Sequence, residues 1–139
     1  MAESVEMPRF NWLLLAVLFS ACGRQSALPP DLFPETAANV WRRTALQDLA
    51  ASDSPDPVPR TSVERLCTAS YDGPGKIDAR VYELSSPAVA LDLVQRWRPS
   101  ADTIFFYSGP FFVVVKWRDA DRQSLQAFVR ELEKRLAPH

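Results

Sequence analysis

The sequence predicts an α+β fold, in which an antiparallel sheet of four to five strands carries two helices on one face and is built as a repeated strand-strand-helix unit. Three patterns favour it. Residues 76–84 alternate between apolar and polar side chains, which is typical of a strand with one face in water. Residues 111–115 form an unbroken apolar run, which predicts a strand covered on both faces or nearly so. Residues 125–136 carry apolar side chains at the spacing of a helix face.

The first unit consists of two strands, a tight turn between them and a helix. We predict strands at residues 62–71 and 76–84, joined by Asp72-Gly73-Pro74-Gly75, because glycine tolerates positive φ and proline fixes its own. Ser86 is a favoured helix cap, and Pro87 suits the first helical position. A helix is therefore expected to follow the second strand and to cover the hairpin.

The second unit repeats this order. Strands are predicted at residues 103–107 and 111–117, with a turn at Ser108-Gly109-Pro110. A second helix is expected to begin at Asp119 or Asp121. Its apolar face recurs every three or four residues and consists of Leu125, Phe128, Val129, Leu132 and Leu136.

The N-terminal segment has the pattern of a targeting signal. Residues 12–19 are all apolar, and this run is shorter than the ~20 residues that span a bilayer but matches a signal-peptide core. Ser20, Ala21 and Cys22 follow, and the string FSAC resembles the lipobox of bacterial lipoprotein signals. The resemblance implies that residues 1–21 are removed as a signal peptide and that the Cys22 thiol carries acyl chains.

Such a protein would be anchored by lipid in the cell envelope, on the periplasmic side of the outer membrane in a Gram-negative bacterium. The start of translation is open between Met1 and Met7. A start at Met7 removes Glu3 and Glu6 from a segment that is usually basic. The alternative is a cytosolic domain with a buried N-terminal helix.

The chain after the signal peptide divides into three parts. Residues 22–36 are interpreted as the lipidated cysteine and an extended tether, because prolines stand among polar residues. Residues 37–60 hold a segment that leads into the domain and a proline-rich loop, and residues 61–137 form the compact α+β domain. Residues 40–44 are predicted as a short strand, and the alternative is a helix whose face consists of Trp41, Ala45 and Leu49.

Composition excludes several classes of function. The chain has 16 basic and 17 acidic residues, so it is not a strongly basic nucleic-acid binder. Its single histidine, His139, excludes a histidine-rich metal site. We predict no catalytic residue, no metal site and no cofactor, since the carboxylates are scattered and no nucleophile has a histidine base. Cys67 is interpreted as a small buried apolar side chain, with a reactive thiol as the alternative.

The aromatic residues supply a candidate binding surface. The period of two places Arg80 and Tyr82 on the outer face of their strand, and it places Phe105 and Tyr107 together on one face of theirs. If these side chains line an uncovered face of the sheet, they form an amphipathic surface suited to a protein partner or a glycan. The alternative is that the rings fill the core.

Two stretches of the domain resemble a family of uncharacterised bacterial secreted and periplasmic proteins that includes lipoproteins. They read YDGPGKIDARVYELSSPAVALDLVQRW (71–97) and DTIFFYSGPFFVVVKW (102–117). In that family a strand ending in V-Y-x-[LM] is followed by an S/P-x-x-A helix, a Y-x-G-x-x-[FY] hairpin and an amphipathic helix. The resemblance covers about residues 61–137. It implies the same fold and an envelope location, and it implies no catalytic residue.

These observations predict a lipid-anchored envelope binding or scaffold module without catalytic activity. Its partners would be the membrane, through Cys22, and another envelope protein or a glycan, with no nucleic acid. Two alternatives stay open: an envelope enzyme of unknown reaction, which needs a cleft with two convergent titratable groups, and a carrier of a small apolar ligand. The carrier needs an internal apolar cavity on the order of 300 Å³ or more.

Overall fold

The computed structural model describes residues 28–98 and 100–138, which form one antiparallel sheet with a helix packed on each face. In chain order the elements are β1 (Thr36–Ala37), β2 (Trp41–Leu49), β3 (Val63–Gly73), β4 (Gly75–Leu84), α1 (Pro87–Arg96), β5 (Thr103–Ser108), β6 (Phe111–Arg118) and α2 (Arg122–Leu136). The strands lie in the order β1-β2-β3-β4-β6-β5, and every neighbouring pair is antiparallel. The fold class is therefore α+β, as predicted.

The sheet is wider than predicted because residues before position 61 contribute to it. β2 is nine residues long, whereas the sequence predicts a strand at residues 40–44 only. It pairs with β3 from Arg42, opposite Asp72, to Leu49, opposite Leu66. The two-residue strand β1, which pairs with β2, is not predicted at all, and with it the expected four to five strands are corrected to six. The second half of β2 is mostly exposed and lacks the apolar alternation that would predict a strand. It is a strand because its backbone pairs with β3.

The two helices lie on opposite faces of the sheet, which corrects the prediction that both cover one face. α2 packs against the face that carries Ala79, Val81 and Val113. α1 packs against the other face, beside Phe112 and Val114. Because β6 is apolar on both sides, each face of the sheet needs its own cover. The strand-strand-helix order recurs along the chain, but a repeated unit is not confirmed, since its two helices point to opposite sides.

The helix caps and the turn between β3 and β4 form where the sequence predicts them. The Ser86 hydroxyl accepts a hydrogen bond from the Val89 amide at the start of α1. The Asp121 carboxylate accepts one from the Ser124 amide at the start of α2, which decides between the two predicted caps. Gly75 adopts φ +131° in the turn between β3 and β4, where a Cβ would lie 2.6 Å from the Cα of Ala120. Only glycine suits this position.

The described part of the expected tether packs onto the domain. Leu32 and Phe33 are each 4% exposed and belong to the apolar cluster beneath α2. The Tyr71 hydroxyl donates a hydrogen bond of 2.7 Å to the Pro34 carbonyl. From Leu32 onward, the segment predicted as a tether over residues 22–36 therefore packs against the domain. Residues 1–21 and Cys22 lie outside the described residues, and in the described part neither helix is long and apolar enough to cross a membrane.

Candidate functional site

A buried ion pair joins β4 to the proline-rich loop. The Arg80 guanidinium donates from Nε to Oδ2 of Asp56 at 2.7 Å and from Nη2 to Oδ1 at 3.0 Å. Both side chains are only 6% exposed. Arg80 lies on the face of the sheet that α1 covers. The proline-rich loop crosses the same face, which brings Asp56 to the guanidinium. The two-pronged geometry is the strong form of an arginine–carboxylate contact.

Further hydrogen bonds complete this buried cluster, which consists of Arg80, Asp56, Tyr82 and Ser54. The Tyr82 hydroxyl donates to Oδ2 of Asp56, and the Ser54 hydroxyl lies 2.9 Å from the Tyr82 hydroxyl oxygen. The remaining guanidinium nitrogen of Arg80, Nη1, donates to Oδ2 of Asp78 at 3.1 Å. Every charged and hydroxyl group of the cluster therefore has a partner, as a rigid buried polar network requires.

Burial and the contacts with Asp56 shift the pKa values of Tyr82 and Arg80. Burial raises the pKa of the Tyr82 hydroxyl, and the hydrogen bond to Asp56 raises it further. Burial alone lowers the pKa of Arg80, but the hydrogen bond and the negative charge of Asp56 outweigh burial and raise it. At physiological pH the cluster thus holds a neutral tyrosine and a charged arginine.

An open groove of about 650 Å³ lies beside the buried cluster. One wall is the proline-rich loop, and the other is the C-terminal end of α1 with the residues that follow it. The floor is formed by strands β5 and β6. Its lining consists of Pro55, Asp56, Pro57, Pro59, Leu93, Arg96, Trp97, Arg98, Ser100, Thr103, Val114 and Lys116. Asp56 therefore belongs both to the groove wall and to the buried ion pair, which fixes the loop in place.

The groove presents an excess of positive charge. Arg96, Arg98 and Lys116 line it and are exposed. Its one lining carboxylate, Asp56, is already compensated by Arg80. Arg96 also pairs with Asp92 on the surface of α1, so Arg98 and Lys116 contribute most of the excess. Guanidinium and ammonium groups in such an arrangement suit a carboxylate or another anion.

The groove also has an apolar part. Trp97 is half-buried and packs its ring against Phe112 at 5.0 Å and Phe105 at 6.1 Å between centroids. Leu93 and Val114 are buried beneath it. The combination of an aromatic wall, proline rings and cations can bind a ligand that is anionic at one end and apolar along its length.

The structure places the four residues of the predicted binding surface on one face of the sheet but buries two of them. Arg80, Tyr82, Phe105 and Tyr107 all lie on the α1 face, as the period of two predicts. Arg80 and Tyr82 are nevertheless buried, at 5% and 0% exposure, because the proline-rich loop covers them. Phe105 is half-buried, and only Tyr107 is exposed, at 42%. An exposed surface made of all four residues is therefore incorrect.

Asp56, Trp97 and Lys116 line the groove but are not among the site residues predicted from the sequence. One signal was available for Asp56: it stands between Pro55 and Pro57, which restrict the backbone that carries this acidic side chain. Arg80 gives no second signal: a covered arginine needs an acidic partner, but its alternation with Ala79 and Val81 predicts that it is exposed. No sequence pattern brings Trp97 and Lys116 together. Trp97 follows α1 and Lys116 lies in β6, and they line the same groove only after the sheet has formed.

Cys67, interpreted as a small buried apolar side chain, is only partly buried in the structure. It is half-buried and contacts the apolar cluster beneath α2. Burial raises the pKa of the Cys67 thiol to about 11, and the negative charge of Asp48 adds to this shift. A raised pKa disfavours the thiolate and hence a reactive thiol. The described residues contain no group of three or more His, Cys, Asp or Glu side chains placed to hold a metal ion.

Comparison with known proteins finds no matching family model, no curated protein of significant similarity and no solved structure of significant similarity.

Proposed function

We propose that the protein is a lipid-anchored binding module of the cell envelope, and that the groove between the proline-rich loop and α1 is its binding site. The observation that carries this proposal is the groove of about 650 Å³ with Arg98 and Lys116 in its lining and Trp97 in its wall. This site replaces the surface predicted from Arg80 and Tyr82, whose side chains stabilise the groove from below.

The wall of the groove is organised before a ligand arrives. Pro55, Pro57 and Pro59 restrict the backbone of the loop, and the Asp56 carboxylate is bonded to Arg80. A binding surface that is already ordered loses less conformational entropy on association. The same hydrogen bonds commit both carboxylate oxygens of Asp56, which supports binding rather than acid–base catalysis at this position.

The ligand that fits this chemistry is an acidic segment of another envelope protein. Carboxylates would pair with Arg98 and Lys116, and apolar side chains would pack against Trp97 and the prolines. A neutral glycan would use the aromatic wall but would leave the cations without a partner. The open, charged groove also supports a macromolecular partner over a small apolar ligand, which would need an enclosed apolar cavity.

The N-terminal sequence supports the location. Cys22 follows the apolar residues 12–19 and the small residues Ser20 and Ala21, so its thiol is the proposed attachment point of the acyl chains. More than one acyl chain provides stable anchoring without a basic surface patch. Labelling cells with a fatty-acid analogue tests this: the wild-type chain should be labelled and the Cys22→Ser variant should not. Equal labelling of both would overturn the anchor.

The binding proposal is tested with the full chain in detergent and a fluorescent glutamate-rich peptide. Fluorescence anisotropy should show binding, and the same peptide with glutamine at each glutamate should bind more weakly. Lys116→Ala and Arg98→Ala should each weaken binding at least about fivefold, which corresponds to about 1 kcal/mol. Lys134→Ala is the matched control, because Lys134 is exposed on α2, on the opposite face of the sheet.

Two outcomes would contradict the proposal. In the first, the glutamate peptide binds no better than the glutamine peptide. In the second, Lys134→Ala weakens binding as much as Lys116→Ala, which would show attraction to the net charge of the chain and not to the groove.

A further inference from the structure

The two edges of the sheet differ in how well they are protected against pairing with a strand of another chain. At one edge, β2 carries Arg42, Arg43 and Asp48, has a bulge between Arg43 and Ala45, and is partly covered by β1. Charges and bulges are the devices that prevent a strand from pairing with another chain. At the other edge, β5 reads TIFFYS and has no charge, no proline and no irregularity in its pairing with β6.

The hydrogen-bond pattern shows which peptide groups of β5 face outward. The Trp117 amide donates to the Asp102 carbonyl at 3.0 Å, so the odd-numbered residues of β6 bond toward β5. In the register of this pair, Ile104 lies opposite Val115 and Phe106 opposite Val113. The peptide groups of Ile104 and Phe106 therefore point to β6. Since successive residues of a strand alternate, those of Phe105 and Tyr107 point away from the sheet.

The outward groups of Phe105 and Tyr107 are not used elsewhere in the described chain. In residues 28–98 and 100–138, no backbone hydrogen bond from outside the sheet reaches either residue. Thr103 differs, because its amide already donates to the Ser100 carbonyl at 3.2 Å. The Tyr107 side chain is 42% exposed. The edge therefore offers two peptide units, with two donors and two acceptors, to another strand.

We propose that β5 pairs with β5 of a second copy of this chain, antiparallel about a two-fold axis at Phe106, so that Phe105 lies opposite Tyr107 of the partner subunit. This register uses all four outward groups of each copy, since Phe105 and Tyr107 exchange hydrogen bonds with each other across the axis. It also places an aromatic ring opposite an aromatic ring, a favourable cross-strand pair. The strand is uncharged, so two copies meet without repulsion, and an antiparallel pair about a two-fold axis closes as a dimer.

The oligomeric state of the full chain in detergent tests the pairing. Sedimentation equilibrium should give twice the mass of a single mature chain for the wild type. Tyr107→Lys, which places two positive charges near the axis, should shift the dissociation constant at least about tenfold toward the monomer. Gln47→Lys adds the same charge to the β2 edge and should leave the dimer unchanged. At protein concentrations where both variants are monomers, equal unfolding temperatures show that Tyr107→Lys acts on assembly and not on folding.

Disulfide trapping tests the register. In a Cys67→Ala background, Phe106→Cys should form a disulfide between copies, because residues at the axis in a non-hydrogen-bonded pair lie about 4.5 Å apart between Cα atoms. Ile104→Cys should not, since the two copies of this position are offset by roughly 13 Å along the strands. Any linkage through Cys22 is the same in both variants and cancels in the comparison.

Three results would overturn the proposal. The first is a wild-type chain that stays monomeric at all concentrations, and the second is a dimer that Tyr107→Lys does not weaken. The third is crosslinking of Phe106→Cys to a different envelope protein with no homodimer, which would show that another chain occupies the edge.

Discussion

The indole Nε1–H of Trp41 donates a hydrogen bond of 2.9 Å to the backbone carbonyl of Ser124. This contact joins the start of β2 to the first turn of α2, across 83 positions of sequence. Trp41 is fully buried, and its ring lies 6.3 Å from that of Phe128. The segment before residue 61 is therefore an integral part of the folded domain.

Trp41→Phe should lower the free energy of unfolding by about 2 kcal/mol, because it removes this hydrogen bond and leaves unfilled volume beneath α2. Chemical denaturation of the variant and the wild type measures the difference. Val40→Ala is the neighbouring control: Val40 is 47% exposed, so its change should stay within about 0.5 kcal/mol. Similar losses of unfolding free energy in the two variants would show that Trp41 does not stabilise the domain.

Asp56→Ala should lower the free energy of unfolding by about 3–5 kcal/mol, because it removes the buried partner of Arg80 and leaves this charge only its contact with the exposed Asp78 carboxylate. The double variant Asp56→Ala/Arg80→Met should recover much of this loss, since the buried arginine charge is then removed as well. Lys76→Ala breaks the exposed pair with Asp72 and should cost at most about 1 kcal/mol. The prediction fails if Asp56→Ala is as mild as Lys76→Ala, or if the double variant is no more stable than Asp56→Ala alone.

Stability should fall at alkaline pH. Burial, with the charge of Asp48, raises the pKa of Cys67 from 9.0 to about 11, and burial raises the pKa of Tyr71 from 10.0 to about 12. Both groups lose a proton more readily in the unfolded chain. Their contribution to stability is therefore complete below about pH 9 and is lost as the pH rises from 9 to 12.

Denaturation curves at a series of pH values measure this loss. Cys67→Ala should remove the part that begins near pH 9, and Tyr71→Phe should reduce the part between pH 10 and 12. An unchanged pH dependence in both variants would assign the loss of stability to other groups.

Gly75→Ala should destabilise the protein by at least about 2 kcal/mol, since a Cβ at φ +131° is strained and meets backbone atoms of Ala120 and Arg118 within 2.7 Å. Gly109→Ala is the matched control. Gly109 also has positive φ, at +57°, but a Cβ there meets no atom within 4 Å. Its cost should be only about 1 kcal/mol, from the backbone conformation. Equal costs, measured by thermal unfolding, would mean that the close approach of Ala120 is not important.

Local features of the fold could be predicted because their causes lie within a few residues. The cap at Ser86, the turn at Gly75 and the apolar face of α2 each depend on neighbours in the sequence. The full length of β2 could not be predicted this way. Its exposed residues Leu46, Gln47 and Asp48 form a strand only because β3 supplies hydrogen bonds to them.

The candidate site depends on contacts that no short pattern contains. Whether Arg80 is exposed depends on the path of a loop 24 positions earlier in the chain. The side on which each helix packs depends on how the two hairpins join, between β4 and β6. The unbroken apolar run at residues 111–115 predicted cover on both faces of the sheet. The structure agrees with this prediction and not with the expectation of two helices on one face.

If Cys22 carries the acyl chains as proposed, the burial of Leu32 and Phe33 beneath α2 limits how far the domain could stand from a bilayer. Leu32 is ten positions after Cys22, and a fully stretched chain of ten steps reaches at most about 35 Å. The domain would then sample only a thin layer above the lipid headgroups. Partners that stay in the middle of the periplasmic space would be out of range, whereas proteins attached to the same leaflet would meet it repeatedly.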